Sequence, residues 1–204
     1  MGHKLYIVDD DDFMRAALIR QLRQAGYRTE DYASAGLFLE AYSQHEPAVL
    51  ILDLKMPGID GSALQRLLAG QGARLPVIVV TGAADVPGAV AAMRLGAVDV
   101  LEKPFDGNVL LERIRLAIGR DNEAREHEAR LLAAERRLAG LTATERRILR
   151  LLSAGHSTKA IAIRLDLSVR TVESHRYNIK RKTGAKSLAE MICLGMRGAG
   201  KETA

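Results

Sequence analysis

The chain has 204 residues, 48% of them hydrophobic and only 4% aromatic with no Trp, which supplies packed cores but disfavours a reader of single-stranded nucleic acid built on stacked rings. Its single cysteine excludes internal disulfides and Cys-rich zinc sites. The net charge of +5 is uneven: residues 1–119 carry −3, 120–140 are neutral and 141–204 carry +8, which fits a polyanion-binding segment behind an acidic body or a solvated basic face.

Met1 runs directly into a charged, strand-like segment. No leader pattern and no apolar run of about 20 residues is present, so a cytoplasmic protein with no membrane partner is expected. Residues 4–8, Lys-Leu-Tyr-Ile-Val, form a largely apolar run that ends at Asp9; a helical pattern with Met14, Leu18, Ile19 and Leu22 follows and stops at Gly26. A weaker strand fits 28–32. Residues 48–52 and 76–80 are short, continuous apolar runs, the signature of strands buried on both faces of a parallel sheet; 98–101 is a shorter run of that type. Helical stretches fall at 34–45, 60–70, 86–96 and 107–118. Five alternations of strand and helix predict a doubly wound α/β domain with five parallel strands.

From 108 to about 140 the chain reads as one charged helix. Ala117, Ala124, Leu131 and Leu138 recur every seven residues, but Asp121, Glu128 and Glu135 lie between them, which weakens any coiled-coil seam. The segment 120–140 therefore reads as a helical linker, with a dimer seam as the alternative. Four helices follow at 142–154, 157–165, 169–183 and 187–197. Thr142 and Glu145 form a capping box, and Ser157, Ser168 and Ser187 suit the next three N-caps. Cys193, between Ile192 and Leu194, reads as a buried structural thiol.

Each candidate strand end carries a polar residue of a particular kind. Asp9 and Asp10 follow the first strand, Asp53 the third, Thr81 the fourth and Lys103 the fifth. In a parallel sheet these ends converge on one surface. Carboxylates brought together repel unless a cation neutralises them, and hard oxygen donors with room for water suit Mg²⁺. A lysine and a threonine beside them can hold phosphoryl oxygens. The set points to a phosphoryl-accepting carboxylate, a charge-screening metal and two groups that detect the product. Asp11 and Asp12 fit the first turn of a helix, where negative charge is favoured.

Val8-Asp9-Asp10, Asp53-Leu-Lys-Met-Pro57-Gly, Val80-Thr81-Gly82 and Lys103-Pro104-Phe105 resemble the receiver domain of bacterial response regulators over about residues 3–119. Gly82-Ala-Ala-Asp85-Val86-Pro87 and Gly96-Ala-Val-Asp99 resemble its FixJ branch. The resemblance implies a flavodoxin-like domain at 1–119 with Asp53 as phosphoacceptor. It implies Mg²⁺ held by Asp10, Asp9, Asp53 and the main-chain carbonyl of Lys55, with phosphoryl oxygens bound by Thr81 and Lys103. It also implies a cis bond between Lys103 and Pro104. Many receivers carry a Tyr or Phe three residues before the lysine; here that position is Val100, so no ring can follow Thr81 inward. The 86–102 surface, with Met93 and Leu95, is the expected output face.

In the basic segment, 158–165 reads as a supporting helix, Asp166-Leu167-Ser168 as a turn and 169–183 as a recognition helix. Val172, Ile179 and Thr183 share the inward face, leaving Glu173, Ser174, Arg176, Tyr177, Lys180 and Arg181 outside. The pattern Leu141-Thr-x-x-Glu145-Arg, Gly155-His-Ser-Thr-Lys159-x-Ile161-Ala162, Leu167-Ser168, Arg170-Thr171-Val172-Glu173-x-His175 and Lys182-x-Gly184 is similar to the LuxR/NarL type of helix-turn-helix. The resemblance makes 141–204 an all-α four-helix DNA-binding domain. Thr171, Arg176, Lys180 and Lys159 then meet phosphates, while Glu173, Ser174 and Tyr177 face base edges. Glu can accept from cytosine N4, or orient its neighbours instead. His175 fits packing or a phosphate contact better than a metal.

The combined expectation is a two-component response regulator. A sensor histidine kinase would phosphorylate Asp53, and the protein would bind promoter DNA as a homodimer without being an enzyme. Two rival readings remain open. Haloacid-dehalogenase-type phosphatases place a second acid two residues after the nucleophile, where this chain has Lys55. A vestigial receiver would lack the Asp10, Asp53, Thr81 and Lys103 set.

Overall fold

The computed structural model describes residues 2–43, 46–82 and 86–199, with side chains described through Met196. It divides into two compact units, Met1–Ala124 and Arg125–Ala204. The first contains strands β1 (Lys4–Val8), β2 (Arg28–Tyr32), β3 (Ala48–Asp53), β4 (Val77–Gly82) and β5 (Asp99–Lys103). Helices α1 (Asp12–Gln24), α2 (Ala35–Ala41), α3 (Gly61–Gly70) and α4 (Val86–Arg94) alternate with them, and α5 runs over Gly107–Ala139. All pairings are parallel, in the order β2-β1-β3-β4-β5. The expected five-stranded doubly wound sheet is therefore present.

Alternation along the central strands builds two cores. Tyr6, Val8, Leu50, Leu52 and Val79 meet Phe38, Leu64, Leu68 and Ala92 on one face. Leu5, Ile7, Val49, Ile51, Ile78 and Val80 meet Leu18, Leu22, Leu110, Ile114 and Ala117 on the other. β3 is buried at every residue, which explains its continuous apolar run. β2 is an edge strand with no buried residue, which explains its weak signal. α2 ends at Ala41, short of the expected 45; residues 44 and 45 of that expectation, and Ala83, Ala84 and Asp85 of the FixJ-like motif, lie outside the described residues.

The second unit begins within α5 and contains α6 (Ala143–Ser153), α7 (Thr158–Leu165), α8 (Val169–Thr183) and α9 (Leu188–Ala199). Its core joins Ala134 and Leu141 to Ile148, Leu149, Ile161, Val172, Ile179, Met191 and Leu194. The capping box of Thr142 and Glu145 opens α6, and Ser157 and Ser168 cap α7 and α8. The seven-residue series in α5 does not stay free: Ala117 is buried in the first core and Leu138 packs on the second. Cys193 corrects the expectation of a buried thiol. It is exposed because Met191 and Leu194 take the inward face of α9 and the helical turn carries Cys193 off it.

Gly61 opens α3 against the end of β3. Its amide donates to the Leu54 carbonyl at 3.0 Å, and a Cβ there would clash with the Asp53 carbonyl oxygen and stand 2.8 Å from Leu54 Cα. Both obstacles are backbone, so they yield poorly. Gly61→Ala should therefore destabilise the first unit by about 1–3 kcal/mol, read as a lower urea midpoint at unchanged slope. An unchanged midpoint would refute the close approach.

Candidate functional site

The strand order reverses direction between β1 and β3, and the crevice beyond the carboxyl ends of such strands is where open α/β sheets hold ligands. Asp9 and Asp10 follow β1, and Asp53 ends β3. One carboxylate oxygen from each of the three lies within 4.8 Å of the others, close enough to share one cation. Asp9 and Asp53 are buried and Asp10 is exposed.

Lys103, at the end of β5, reaches across. Its Nζ lies 2.7 Å from Asp9 Oδ2 and 3.4 Å from Asp53 Oδ1. Burial pushes the Asp53 carboxyl above its ordinary value; the Lys103 ammonium opposes this, and the Asp9 and Asp10 charges add to the rise. Burial works against the Lys103 charge, but its hydrogen bond to Asp9 and the charges of Asp9 and Asp53 outweigh it, and its pKa is raised. The Lys103–Pro104 bond is cis. Thr81, on β4, is 3% exposed, and its hydroxyl oxygen is buried without a hydrogen-bond partner. An unmet buried hydroxyl is costly and suits a group that enters the site. Lys55 lies exposed in the loop after β3. Val100 is half-buried against the first core.

Two contributors were not singled out from the sequence. Arg15 donates from Nη1 to the Asp9 carbonyl at 2.7 Å, pairs with Asp12, and reaches Asp31 at 3.4 Å, so it pins the acidic loop to α1 and β2. A cation one turn after four consecutive acids was the available signal. Gly61 carried none, because its constraint comes from the Asp53 backbone.

In the second unit, α8 buries Val172, Ile179 and Thr183, the expected inward face. Glu173, Ser174, Tyr177 and Lys180 are exposed, as is Lys159 on α7. Arg176 is half-buried and donates from Nη1 to Thr158 Oγ1 at 2.7 Å, which ties α8 to the first turn of α7. Thr171 is half-buried beside Ser168, the two hydroxyls 2.7 Å apart. His175 is half-buried with an unpartnered Nδ1, in keeping with packing. A groove of about 260 Å³ is lined by Glu173, Arg176, Tyr177, Lys180, Leu188 and Met191. Glu145 fixes the frame behind it: burial alone would raise its pKa, but Lys182 at 2.7 Å and the Thr142 donors hold it below the ordinary value.

Fold and site together define a receiver joined to a helix-turn-helix DNA-binding domain. Residues 5–115 match the response regulator receiver domain, and residues 139–194 match the bacterial regulatory proteins of the luxR family. The chain is 39% identical to the transcriptional regulatory protein FixJ of Azorhizobium caulinodans over 94% of this chain and 91% of that one. It is 35% identical to the response regulator protein TodT of Pseudomonas putida over 92% and 83%. The solved structure of the response regulator StyR matches with a TM-score of 0.86 at 33% identity, covering 97% of this chain and 100% of that one. Full-length FixJ from B. japonicum matches with a TM-score of 0.61 at 38% identity, covering 98% of each. The chain belongs to the response-regulator family: it is a two-component response regulator with a LuxR-type DNA-binding domain, homologous to the FixJ transcriptional regulators. That family is one of transcriptional regulators rather than a class of enzymes. Its receiver implies a histidine kinase partner and its LuxR-type domain implies DNA. Among the described residues no helix is long and apolar enough to cross a membrane.

The raised Asp53 pKa has a consequence for stability. Between the ordinary value of 3.8 and the raised native value, the folded state binds more protons than the unfolded one, so this group's contribution falls as pH rises through that window. Asp53→Asn should therefore be more stable than the native chain at neutral pH, and the advantage should shrink as pH falls toward 3.8. Urea unfolding across pH measures it; an advantage that grows toward acid would contradict the assigned shift.

Proposed function

We propose that Asp53 is the phosphoacceptor, and that its modification controls promoter binding by the second unit. The observation that carries this reading is the buried Asp53 carboxylate, flanked by Asp9 and Asp10, with the Lys103 ammonium 3.4 Å away and an unmet Thr81 hydroxyl on the next strand. An Asp53 oxygen attacks the phosphorus of a phosphohistidine on a sensor kinase. The O–P bond forms as the N–P bond breaks, and the imidazole nitrogen leaves with the electron pair. Lys103 pairs with the incoming phosphoryl oxygens and the Thr81 hydroxyl donates to one of them, which meets its buried polar requirement. Mg²⁺ held by Asp9, Asp10, Asp53 and the Lys55 main-chain carbonyl would screen the charge gathered between carboxylates and phosphoryl group.

Output uses the 86–102 surface. On α4, Val86, Val90 and Met93 recur at helical spacing and are 68%, 46% and 48% exposed, while Leu95 is half-buried. That apolar stripe suits a homodimer of phosphorylated chains. On the DNA, Lys159, Thr171, Arg176 and Lys180 meet phosphates, and Glu173, Ser174 and Tyr177 reach base edges. Residues 1–119 act as receiver, 120–140 as linker and 141–204 as DNA-binding domain. The place of action is the cytoplasm, where promoter DNA is found.

The test uses an oligonucleotide selected from a random pool by the acetyl-phosphate-treated full chain. Acetyl phosphate with Mg²⁺ should raise its affinity by about 5-fold or more. Asp53→Asn should bind with the untreated affinity whether or not it is treated. An equal gain in both proteins would overturn Asp53 as the control point.

A further inference from the structure

The first unit holds a second buried, unmet oxygen besides that of Thr81: the side-chain carbonyl of Gln65. Gln65 sits one turn into α3 and is 4% exposed. Its amide nitrogen donates to the Ala92 carbonyl on α4, but at 3.5 Å, the outer limit of a hydrogen bond. The amide is thus buried between two helices with one long bond and one unmet acceptor. A half-satisfied buried amide destabilises the arrangement that contains it, which lowers the cost of moving α4 away from it.

Its location links that imbalance to Asp53. The first residue of α3, Gly61, is docked on the backbone of Asp53 and Leu54 with no room for a Cβ. A displacement of the Asp53 end of β3 therefore reaches α3 directly, and Gln65 lies four residues along the same helix. Ala92 is fully buried, in the same core as Leu64, Leu68 and Val100, and α4 turns Val86, Val90 and Met93 outward. Val100 offers no ring that could turn inward beneath α4.

We propose that Gln65 is a positioning residue that couples the phosphoryl state of Asp53 to α4, through its bond to the Ala92 carbonyl. The inference rests on Asp53 as phosphoacceptor. Phosphorylation draws Thr81 and Lys103 to the new oxygens and resets the β3 end. α3 moves with it through Gly61, and the Gln65 amide exchanges its long bond for a better one as α4 shifts. α4 is the two-state element, and the unmet amide is what makes its resting position easy to leave.

The test is hydrogen exchange along Val86–Arg94 in the full chain, with and without acetyl phosphate and Mg²⁺. It compares the native protein with Gln65→Leu and the more flexible Gln65→Met. Phosphate uptake, measured by intact mass, and thermal midpoints are taken on the same samples. In the native protein phosphorylation should change α4 exchange rates by about 5-fold or more. Both variants should take up phosphate to the native extent, melt no lower than native because the unmet amide is gone, and lose most of the α4 response. Retention of the full response in either variant at equal phosphate uptake overturns the proposal. So does a lost response accompanied by a lower melting point in both, which makes Gln65 a packing residue. Absence of phosphate on the native protein overturns the Asp53 reading instead, and is recognised before any variant is compared.

Discussion

The acidic crevice of the first unit depends on one arrangement of charge: the Lys103 ammonium between the buried carboxylates of Asp9 and Asp53. Two carboxylates placed together in a low-dielectric crevice repel, and each also loses its water. Lys103 compensates both with one cation, and the charges of the pair it serves sustain its own charge against burial. The sheet order makes this possible, because β1, β3 and β4 are adjacent and β5 closes the edge beside β4. Arg15 holds the Asp9 loop from the other side through the main-chain carbonyl. The compensation is incomplete, since Asp53 keeps a raised pKa and Thr81 an unmet hydroxyl. A crevice short of positive charge, with a buried hydroxyl that has no partner, suits the proposed metal and phosphoryl group.

The second unit is organised by buried or half-buried polar ties of its own. Lys182 from the end of α8 meets Glu145 at the start of α6, and Glu145 also serves the α6 cap. Arg137 donates to the Thr183 carbonyl at 2.6 Å and to Glu190 at 2.7 Å, joining the tail of α5 to the end of α8 and to α9. These ties fix α8 from behind, so its outward residues are presented on a rigid element. Asp166 completes the turn in the left-handed region at φ 53°, which lets α8 leave α7 sharply. Arg176 is engaged with Thr158 rather than extended into solvent, so its guanidinium is already oriented at the start of α7.

The sheet was legible in the sequence because β1, β3 and β4 are buried on both faces and read as unbroken apolar runs. β2 was faint because an edge strand has no such requirement. The acidic site was legible because Asp9, Asp10, Asp53, Thr81 and Lys103 all stand at strand ends, which parallel topology gathers on one surface. The exposure of Cys193 is not legible in the sequence, because its apolar neighbour Leu194 lies on another face of the helix. Gly61 and Gln65 carry no sequence signal for a different reason. Each meets a backbone group of another element, the Asp53 carbonyl and the Ala92 carbonyl, and no side-chain pattern marks such a partner.

The proposed function requires the acidic crevice to accept one phosphoryl group, on Asp53 and with the help of a divalent cation. The most direct measurement is the intact mass of the full chain after acetyl phosphate treatment, with Mg²⁺ and with a chelator, followed by peptide mapping. One phosphoryl mass should appear with Mg²⁺, be largely absent with the chelator, and map to the peptide containing Asp53. Uptake on another residue, or uptake indifferent to the cation, would contradict it.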